Sequence, residues 1–417
     1  MTVVQSGSLL SGEITIQPSK SYLHRLIILS GLMGKTIKIK NVNYSDDINA
    51  TLDCMKNLGL IDYVKNSDSI DILKGNGQLN GTLNCNESGS TLRFMIPLAL
   101  TMGESVTLCG KTSLMNRPLG LYENLCKDKG FEFTRNGDTL TVNGNLKDAE
   151  YTLPCDVSSQ FITGILLSMV KNRTCGKITL SGKIESRGYI EITLDVMNMF
   201  GIRTSFVDNV IVIEEINDTY MGEEIFCQGD WSHAGFYACY GALNGGVTLK
   251  GLNLDSKQGD SKILSVLKNM GADFEITKDN DIVFRKANLL GIEIDGKEIP
   301  DIVPILSMAS CLAKGKTRIY NIGRLRFKEC DRLNATMESL NKIGGKVEII
   351  DDELHITPVA SFTGGEVTVY NDHRMCMTMA IASCFSTGDI VVDNKDCVKK
   401  SAPDFWNEYT KLGGRYV

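Results

Sequence analysis

The chain has 417 residues, 42% of them apolar and 23% charged, with a formal net charge of -6. That length allows two or three domains with full cores, no stretch reaches the roughly 18 apolar residues of a membrane-spanning helix, and the acidic balance argues against a bulk nucleic-acid binder. The thirteen cysteines stand singly beside only four histidines, which points to free, mostly buried thiols and against a structural zinc; with no basic apolar leader, the chain is expected in the cytoplasm.

In chain order, polar clusters run straight into apolar helical patterns at "PSKSYLHRLIILSGL", "NESGSTLRFMIPLAL", "DVSSQFITGILLSMV", "GDWSHAGFYACYGAL", "PDIVPILSMASCLA" and "YNDHRMCMTMAIAS". Their starts recur about every 70 residues, the mark of an internal repeat. Roughly 30 residues after each comes a second helical pattern with apolar positions at i, i+3 and i+4 and a terminal glycine suited to a left-handed cap. Examples are "DDINATLDCMKNLGL", "RGYIEITLDVMNMFGI" and "ECDRLNATMESLNKIGG". Short alternating strands such as "TLTVNGNL" fill the intervals. The chain therefore reads as six copies of one α/β unit.

The sixth copy stops at "GGRYV" without its strand pair, and "VVQSGSLLSGEITIQPSKS" at the N-terminus has the pattern of the missing strands. The first 18 residues are thus expected to complete the last repeat. The predicted domains are residues 19 to 228, holding three repeats, and residues 229 to 417 with 1 to 18, holding the other three. The chain would cross between them near Pro18–Lys20 and Cys227–Asp230, a double crossover that permits hinging.

Asn, Asp and Ser at helix starts are accounted for by capping of orphan amides. Cations are not. Lys20, Arg25, Arg93 and Arg374 lie in or near the first turns, where the macrodipole disfavours positive charge by some tenths of a kcal/mol each. Arg117, Arg187, Arg332 and the Lys399-Lys400 pair are expected to begin the second helices, again where a cation is badly placed. Gathered helix N-termini with these cations would trap a ligand bearing two phosphate or carboxylate groups. Few carboxylates could do proton chemistry there: Asp301 in "PDIVP" and Glu329 in "LRFKECDR" are the candidates, with a helix cap and a surface ion pair as their ordinary explanations.

The segments "PSKSxxxR", "SGSTLR", "NRPLG", "SSQF", "SRGYIEIT", "LRFKECDR" and "YNDHRM" occur in an order that closely resembles the 5-enolpyruvylshikimate-3-phosphate synthase family of enolpyruvyl transferases, over nearly the whole chain. The resemblance implies an α/β fold of the α+β type, with two domains of three βαβαββ-type units each. It also implies transfer of the enolpyruvyl group of phosphoenolpyruvate to the 5-hydroxyl of shikimate 3-phosphate, with no cofactor or metal, no nucleic-acid or membrane partner, and a monomeric enzyme. Carried over by position, Lys20, Ser21 and Arg25 contact the shikimate phosphate, Lys20 also reaching phosphoenolpyruvate. Ser158, Ser159, Ser186 and Lys328 hold shikimate 3-phosphate, Gln160 touches both ligands, and Tyr189 lies near the shikimate ring. Gly89, Arg117, Arg332, Arg374 and Lys400 line the phosphoenolpyruvate side. Asp301 is implied as the hydroxyl base, Glu329 as the acid at carbon, and Lys20 as charge stabiliser and proton shuttle.

The chain departs from the family pattern at Glu87, where many members have Asn, at Phe94, where some have Pro, and at Arg324, where Asn often contacts the shikimate phosphate. Gly89 is kept where a side chain would crowd glyphosate, so inhibition by that compound is expected, with Phe94 as the reservation. Two other readings remain open from sequence. The sister transferase acting on UDP-N-acetylglucosamine often uses a loop cysteine, and Cys109 in "TLCGKTSLMNRPLG", upstream of Arg117, is a candidate for that role. A six-repeat nucleic-acid clamp would need phosphate contacts but has no use for Asp301 and Glu329 among them. Cys109 closes a strand pattern with no activating partner nearby in sequence, so Cys109→Ser should retain most activity in a phosphate-release assay; complete inactivation with the fold preserved would favour the cysteine-dependent sister.

Overall fold

The computed structural model describes residues 1–154, 158–182, 184, 186–217 and 222–417. Asp156 and Val157, which open the third apolar helical pattern, lie outside the described residues. All six patterns become helices within two residues of their expected starts: Lys20–Met33, Gly89–Leu100, Ser159–Lys171, Trp231–Asn244, Val303–Cys311 and His373–Ser383. Four of the six are capped by a side chain, with Ser88 accepting from the Thr91 amide, Ser158 from Gln160, Asp230 from His233 and Asp372 from Arg374. Their sequences are apolar on nearly every face, and nearly every residue is buried, as such helices must be.

The second helices are Asp46–Asn57, Gly120–Lys129, Arg187–Met199, Ile263–Asn269, Arg332–Lys342 and Phe405–Lys411. Each ends at or just before a glycine with positive φ, as at Gly59 and Gly344. Two expectations fail here. Arg117 does not begin a helix but sits in the turn before Gly120–Lys129, and the Lys399-Lys400 pair ends the 3-10 turn Asp396–Lys400, ahead of Phe405–Lys411. Proline explains both, because a residue just before proline is disfavoured in the helical region: Arg117 precedes Pro118, and Pro403 stands between Lys400 and Phe405. Asp301 likewise lies two residues ahead of its helix and does not cap it.

Five four-stranded sheets and one three-stranded sheet accompany the helices. The pattern is clearest where Glu150–Pro154 runs parallel to Gly176–Ser181, which pairs antiparallel with Val210–Ile216, itself antiparallel to Ile202–Val207. Two leading strands come from distant sequence: Glu224–Phe226 lies beside Ile37–Lys40, and Gly12–Thr15 beside Val247–Lys250. The N-terminal segment is thus shared between two repeats instead of completing the last one alone. Thr2–Val4 pairs with Ile390–Val392 of the sixth repeat, and Val3 exchanges backbone hydrogen bonds with Val417 at 2.8 and 2.9 Å. The hairpin that the sixth repeat lacks is therefore rebuilt from the two ends of the chain.

Backbone contacts divide the chain into Pro18–Gln228 and Met1–Gln17 with Gly229–Val417. Each unit has its own apolar core built from three buried helices and the inner faces of its sheets. On either side of the double crossover the paired segments are tied within their own unit, by Ser19 N to Gln228 O at 2.8 Å and by Asp230 N to Gln17 O at 2.9 Å. No helix among the described residues is long and apolar enough to cross a membrane.

Candidate active site

In the Pro18–Gln228 unit the helix starts carry cations that are met mostly by neutral groups. Lys20 and Arg187 are the exceptions, the Lys20 ammonium 2.7 Å from Asp47 Oδ2 and Arg187 Nε 2.8 Å from Glu191 Oε1. Arg25 is buried and donates through Nε to Thr193 Oγ1 at 2.7 Å, through Nη1 to Ser21 O at 2.7 Å and through Nη2 to Tyr189 O at 3.0 Å. Burial without a carboxylate partner lowers its pKa to about 10. Its guanidinium lies 5.3 Å from the Phe94 ring centroid, so the departure at Phe94 supplies a flat face for a cation.

Gln160, on the Ser159–Lys171 helix, accepts from Arg93 Nη1 at 2.9 Å and donates to Ser90 Oγ at 2.9 Å. Ser158 caps that helix and Ser159 is buried in its first turn. Ser186 has left-handed backbone, φ 53°, immediately before the Arg187–Met199 helix and accepts from the Tyr189 amide at 3.1 Å. A non-glycine residue so placed costs on the order of 1–3 kcal/mol, a cost kept where surroundings fix the backbone. A Cβ on Gly89 would stand 2.7 Å from Arg117 Nη1 and 3.0 Å from Arg93 Nη1. The helix start at Gly89 is therefore roofed by two guanidinium groups, an arrangement suited to an anion.

In the other unit the cations are met by carboxylates, and Arg332 is the centre. It is fully buried, and its Nε donates to Asp372 Oδ2 at 2.9 Å, Nη1 to Asp301 Oδ1 at 2.8 Å and Nη2 to Glu329 Oε2 at 2.7 Å. Lys328 Nζ reaches the same Asp301 oxygen at 3.2 Å. Burial by itself would lower the pKa of Arg332, but Asp372, Glu329 and Asp301 outweigh it and hold the group well above the ordinary arginine value. Burial depresses the Lys328 ammonium, against the pull of Asp301. Asp301 and Glu329 keep 17% and 18% of their side chains exposed, so both carboxylates still meet solvent while Asp372 does not.

Asp372 also explains the crowding in "YNDHRM". It takes Arg332 on one side and caps the His373–Ser383 helix through the Arg374 amide at 2.8 Å. The turn before it is left-handed at Tyr370 and Asn371, both with φ 53°. Arg374 is buried with its guanidinium 5.9 Å from the Phe236 ring centroid, and its Nε has no hydrogen-bond partner among the described residues. Lys400 is buried at the end of its 3-10 turn. Among the described residues no group of three or more His, Cys, Asp or Glu could hold a metal ion.

Sequence reasoning singled out neither Asp47 and Ser90 in the first unit nor Asp260 and Ser232 in the second. A signal for three of them was present. Lys20 meets Asp47 27 residues on, Ser232 meets Asp260 28 residues on, and Asp301 meets Lys328 27 residues on. In these three repeats the start of the first helix faces the start of the second or the turn leading into it, so the interval between the two helical patterns also spaces the polar pairs.

Residues 4–409 match the family described as EPSP synthase (3-phosphoshikimate 1-carboxyvinyltransferase). The 3-phosphoshikimate 1-carboxyvinyltransferase of Clostridium kluyveri is 40% identical over 97% of this chain and 96% of its own. That of Brachyspira hyodysenteriae is 37% identical over the full length of both. Among solved structures, an EPSP synthase from Acinetobacter baumannii superposes with a TM-score of 0.82 at 22% identity, over 100% of this chain and 98% of that one. The enolpyruvyl transferase NikO from Streptomyces tendae, at 13% identity and a TM-score of 0.77 over 100% and 98% of the two chains, shares the fold.

The arrangement around Arg332 makes a stability test possible. Arg332→Leu would strand the buried Asp372 carboxylate, a change that costs about 3–5 kcal/mol. Because a stranded buried carboxyl takes up a proton more readily than it does in the unfolded chain, that loss should shrink as the pH falls. Chemical denaturation of the variant and the parent across the acid to neutral range will report both effects, and a variant as stable as the parent at neutral pH would refute the central role of Arg332.

Proposed function

The chain belongs to the EPSP synthase family, and from that premise we propose how its residues divide the work. The enzyme transfers the enolpyruvyl group of phosphoenolpyruvate to the 5-hydroxyl of shikimate 3-phosphate and releases phosphate. In the Pro18–Gln228 unit, Lys20, Ser21, Arg25, Ser158, Ser159, Gln160, Ser186 and Tyr189 hold shikimate 3-phosphate. Gly89 and Arg117 receive phosphoenolpyruvate, with Lys20 and Gln160 reaching both ligands. In the other unit Lys328 assists shikimate 3-phosphate, while Arg332, Arg374 and Lys400 bind phosphoenolpyruvate.

Asp301 takes the proton of the 5-hydroxyl as that oxygen attacks C2 of phosphoenolpyruvate. Glu329 delivers a proton to the methylene carbon, and the cations hold the tetrahedral intermediate that results. Elimination reverses the carbon proton transfer while the C2–phosphate bond breaks. Lys20 stabilises the charge and shuttles a proton. The observation that carries this reading is the seating of Asp301 and Glu329 on one guanidinium, at 2.8 and 2.7 Å, with both still reached by solvent. Arg332 is engaged by three carboxylates, so an arriving carboxylate must share or displace one of them. That exchange would release Asp301 or Glu329 for proton transfer as substrate binds.

We further propose that the enzyme works as a monomer in the cytoplasm. The exposed large apolar side chains come singly along the chain, as at Val207, Ile276 and Phe327, and free thiols such as those of Cys54 and Cys239 suit a reducing compartment. The deciding assay is phosphate release from phosphoenolpyruvate that requires shikimate 3-phosphate and is not supported by UDP-N-acetylglucosamine. Support by the nucleotide sugar instead would overturn the substrate assignment.

Asp301→Ala and Lys20→Met should each lower turnover by about two orders of magnitude or more, the scale of a lost proton-transfer or charge-stabilising group; near-normal turnover in either purified variant removes that residue from the mechanism. Gly89→Ala meets only the flexible ends of Arg117 and Arg93, so the fold should hold while the anion seat narrows. We expect a several-fold rise in the KM for phosphoenolpyruvate and weaker inhibition by glyphosate, which carries a carboxylate and a phosphonate. An unchanged KM would remove Gly89 from the anion seat.

A further inference from the structure

Asp260 is a buried carboxylic acid in the Gly229–Val417 part of its unit that the reaction scheme leaves without a task. It stands second in the 3-10 turn Gly259–Lys262, where Asp47 stands second in the corresponding helix of the other unit's first repeat. Asp47 is neutralised by Lys20, but the residue facing Asp260 is Ser232, whose hydroxyl bonds Asp260 Oδ2. The two corresponding acids thus differ in their partner, an ammonium at Asp47 and an uncharged hydroxyl at Asp260. Asp260 Oδ1 is buried with no hydrogen-bond partner among the described residues.

Three helix starts surround this acid. Ser232 and Asp230 belong to the start of Trp231–Asn244, Asp301 precedes Val303–Cys311, and Arg374 is in the first turn of His373–Ser383; the charges of Asp301, Arg374 and Asp230 all act on Asp260. The amides at two of these starts are already taken by Asp230 and Asp372, so the helix dipoles there serve those carboxylates. His233, next to Ser232, turns its Nε2 to Glu408 at 2.7 Å. Arg374 packs over Phe236, one helical turn beyond Ser232 on the same face of Trp231–Asn244, so the guanidinium and the Asp260 carboxyl stand against one strip of that helix. Burial, and next the neighbouring Asp301, push the Asp260 carboxyl up to about 7, while the Ser232 hydroxyl and Arg374 oppose the rise.

We propose that Asp260 is a positioning residue for the anion seat at Arg374: as the neutral acid bonded to Ser232 it leaves the charge of Arg374 to the incoming anion, and as the carboxylate it draws Arg374 to itself and competes with that anion. The proposal rests on the placing of Arg374 against phosphoenolpyruvate. It makes the affinity for phosphoenolpyruvate fall as the pH rises through neutrality, a device that Asp47 cannot provide because Lys20 already neutralises it.

The test compares wild type, Asp260→Asn and Ser232→Ala. The KM for phosphoenolpyruvate, measured from about pH 6 to about pH 8.5, should rise several-fold in wild type and lose that component in Asp260→Asn, whose amide is neutral throughout. The substrate phosphate titrates in the same range in every variant, so the difference between variants isolates Asp260. Ser232→Ala removes a donor that favours the carboxylate, so it should move the rise to higher pH, which loss of packing alone would not do. A KM that climbs as steeply in Asp260→Asn as in wild type, or a limb unmoved in Ser232→Ala, overturns the proposal.

A second measurement does not depend on the transferase reaction. With the carboxyl at about 7 in the fold and an ordinary value of 3.8, the native state holds a proton that the unfolded chain has released, so the acid's contribution to stability falls as the pH rises through that window. Thermal unfolding should show this fall in wild type and not in Asp260→Asn. Parallel stability curves would overturn the proposal whatever the activity. A difference in stability without any phosphate release dependent on shikimate 3-phosphate would instead point to failure of the functional assignment.

Discussion

A buried guanidinium shared by three carboxylates organises the Gly229–Val417 part of its unit. Taking such charges out of water costs several kcal/mol for each ion, and close pairing does little more than repay that cost. What Arg332 contributes is therefore placement more than net stability. It fixes Asp372 at the start of one buried helix, Asp301 just ahead of another and Glu329 in the approach to its own helix. Three segments from two different repeats are registered on one planar group, whose fork-like geometry tolerates little sliding. The two carboxylates given proton-transfer roles are held at defined distances by the same cation that an anionic substrate would seek.

The two units solve one problem in opposite ways. In Pro18–Gln228 Lys20 is met by Asp47, whereas Arg25 and Arg93 donate to threonine hydroxyls, a glutamine and backbone carbonyls. Neutral acceptors orient a guanidinium without cancelling its charge, so the positive charge of these groups stays available to an anion. In the other unit Lys328, Arg332 and Arg374 stand beside Asp301, Glu329 and Asp372, which brings the local charge near balance. A balanced cluster is a poor trap for a strongly charged ester but a suitable place to move a proton, since one carboxylate can change state without leaving a large uncompensated charge.

Much of this was legible in the sequence, for a physical reason. The six buried helices are apolar around their whole circumference and four of them begin at capping side chains, so both their extent and most of their starts are written locally, as at Ser88, Asp230 and Asp372. Placement failed where a local rule was overridden by proline, at Arg117 and at Lys399 and Lys400. The polar pairs were harder, because Lys20 and Asp47, or Ser232 and Asp260, lie nearly thirty residues apart and neither partner is unusual alone. Only superposition of the repeats brings such residues to equivalent places. Asp260 was further hidden by reading as an ordinary helix-start aspartate, when its distinguishing feature is the cation it lacks.

The repeat itself accounts for why these positions suit an anion. Every copy of the unit must end its buried helix in orphan amides, and each start is therefore a weak positive pole before any side chain is added. A cation placed there loses some tenths of a kcal/mol to the macrodipole, whereas each hydrogen bond to a charged group returns about 1.5–3 kcal/mol. Residues such as Arg374 at a helix start are therefore slightly unfavourable in isolation and strongly favourable once an anion arrives. Six copies provide six such poles, and divergence among them has been a matter of choosing what meets each one: an ammonium at Asp47, a serine at Asp260, a shared guanidinium at Asp301 and Asp372. Differences of one side chain at corresponding helix starts are sufficient to turn a repeated capping problem into distinct polar environments.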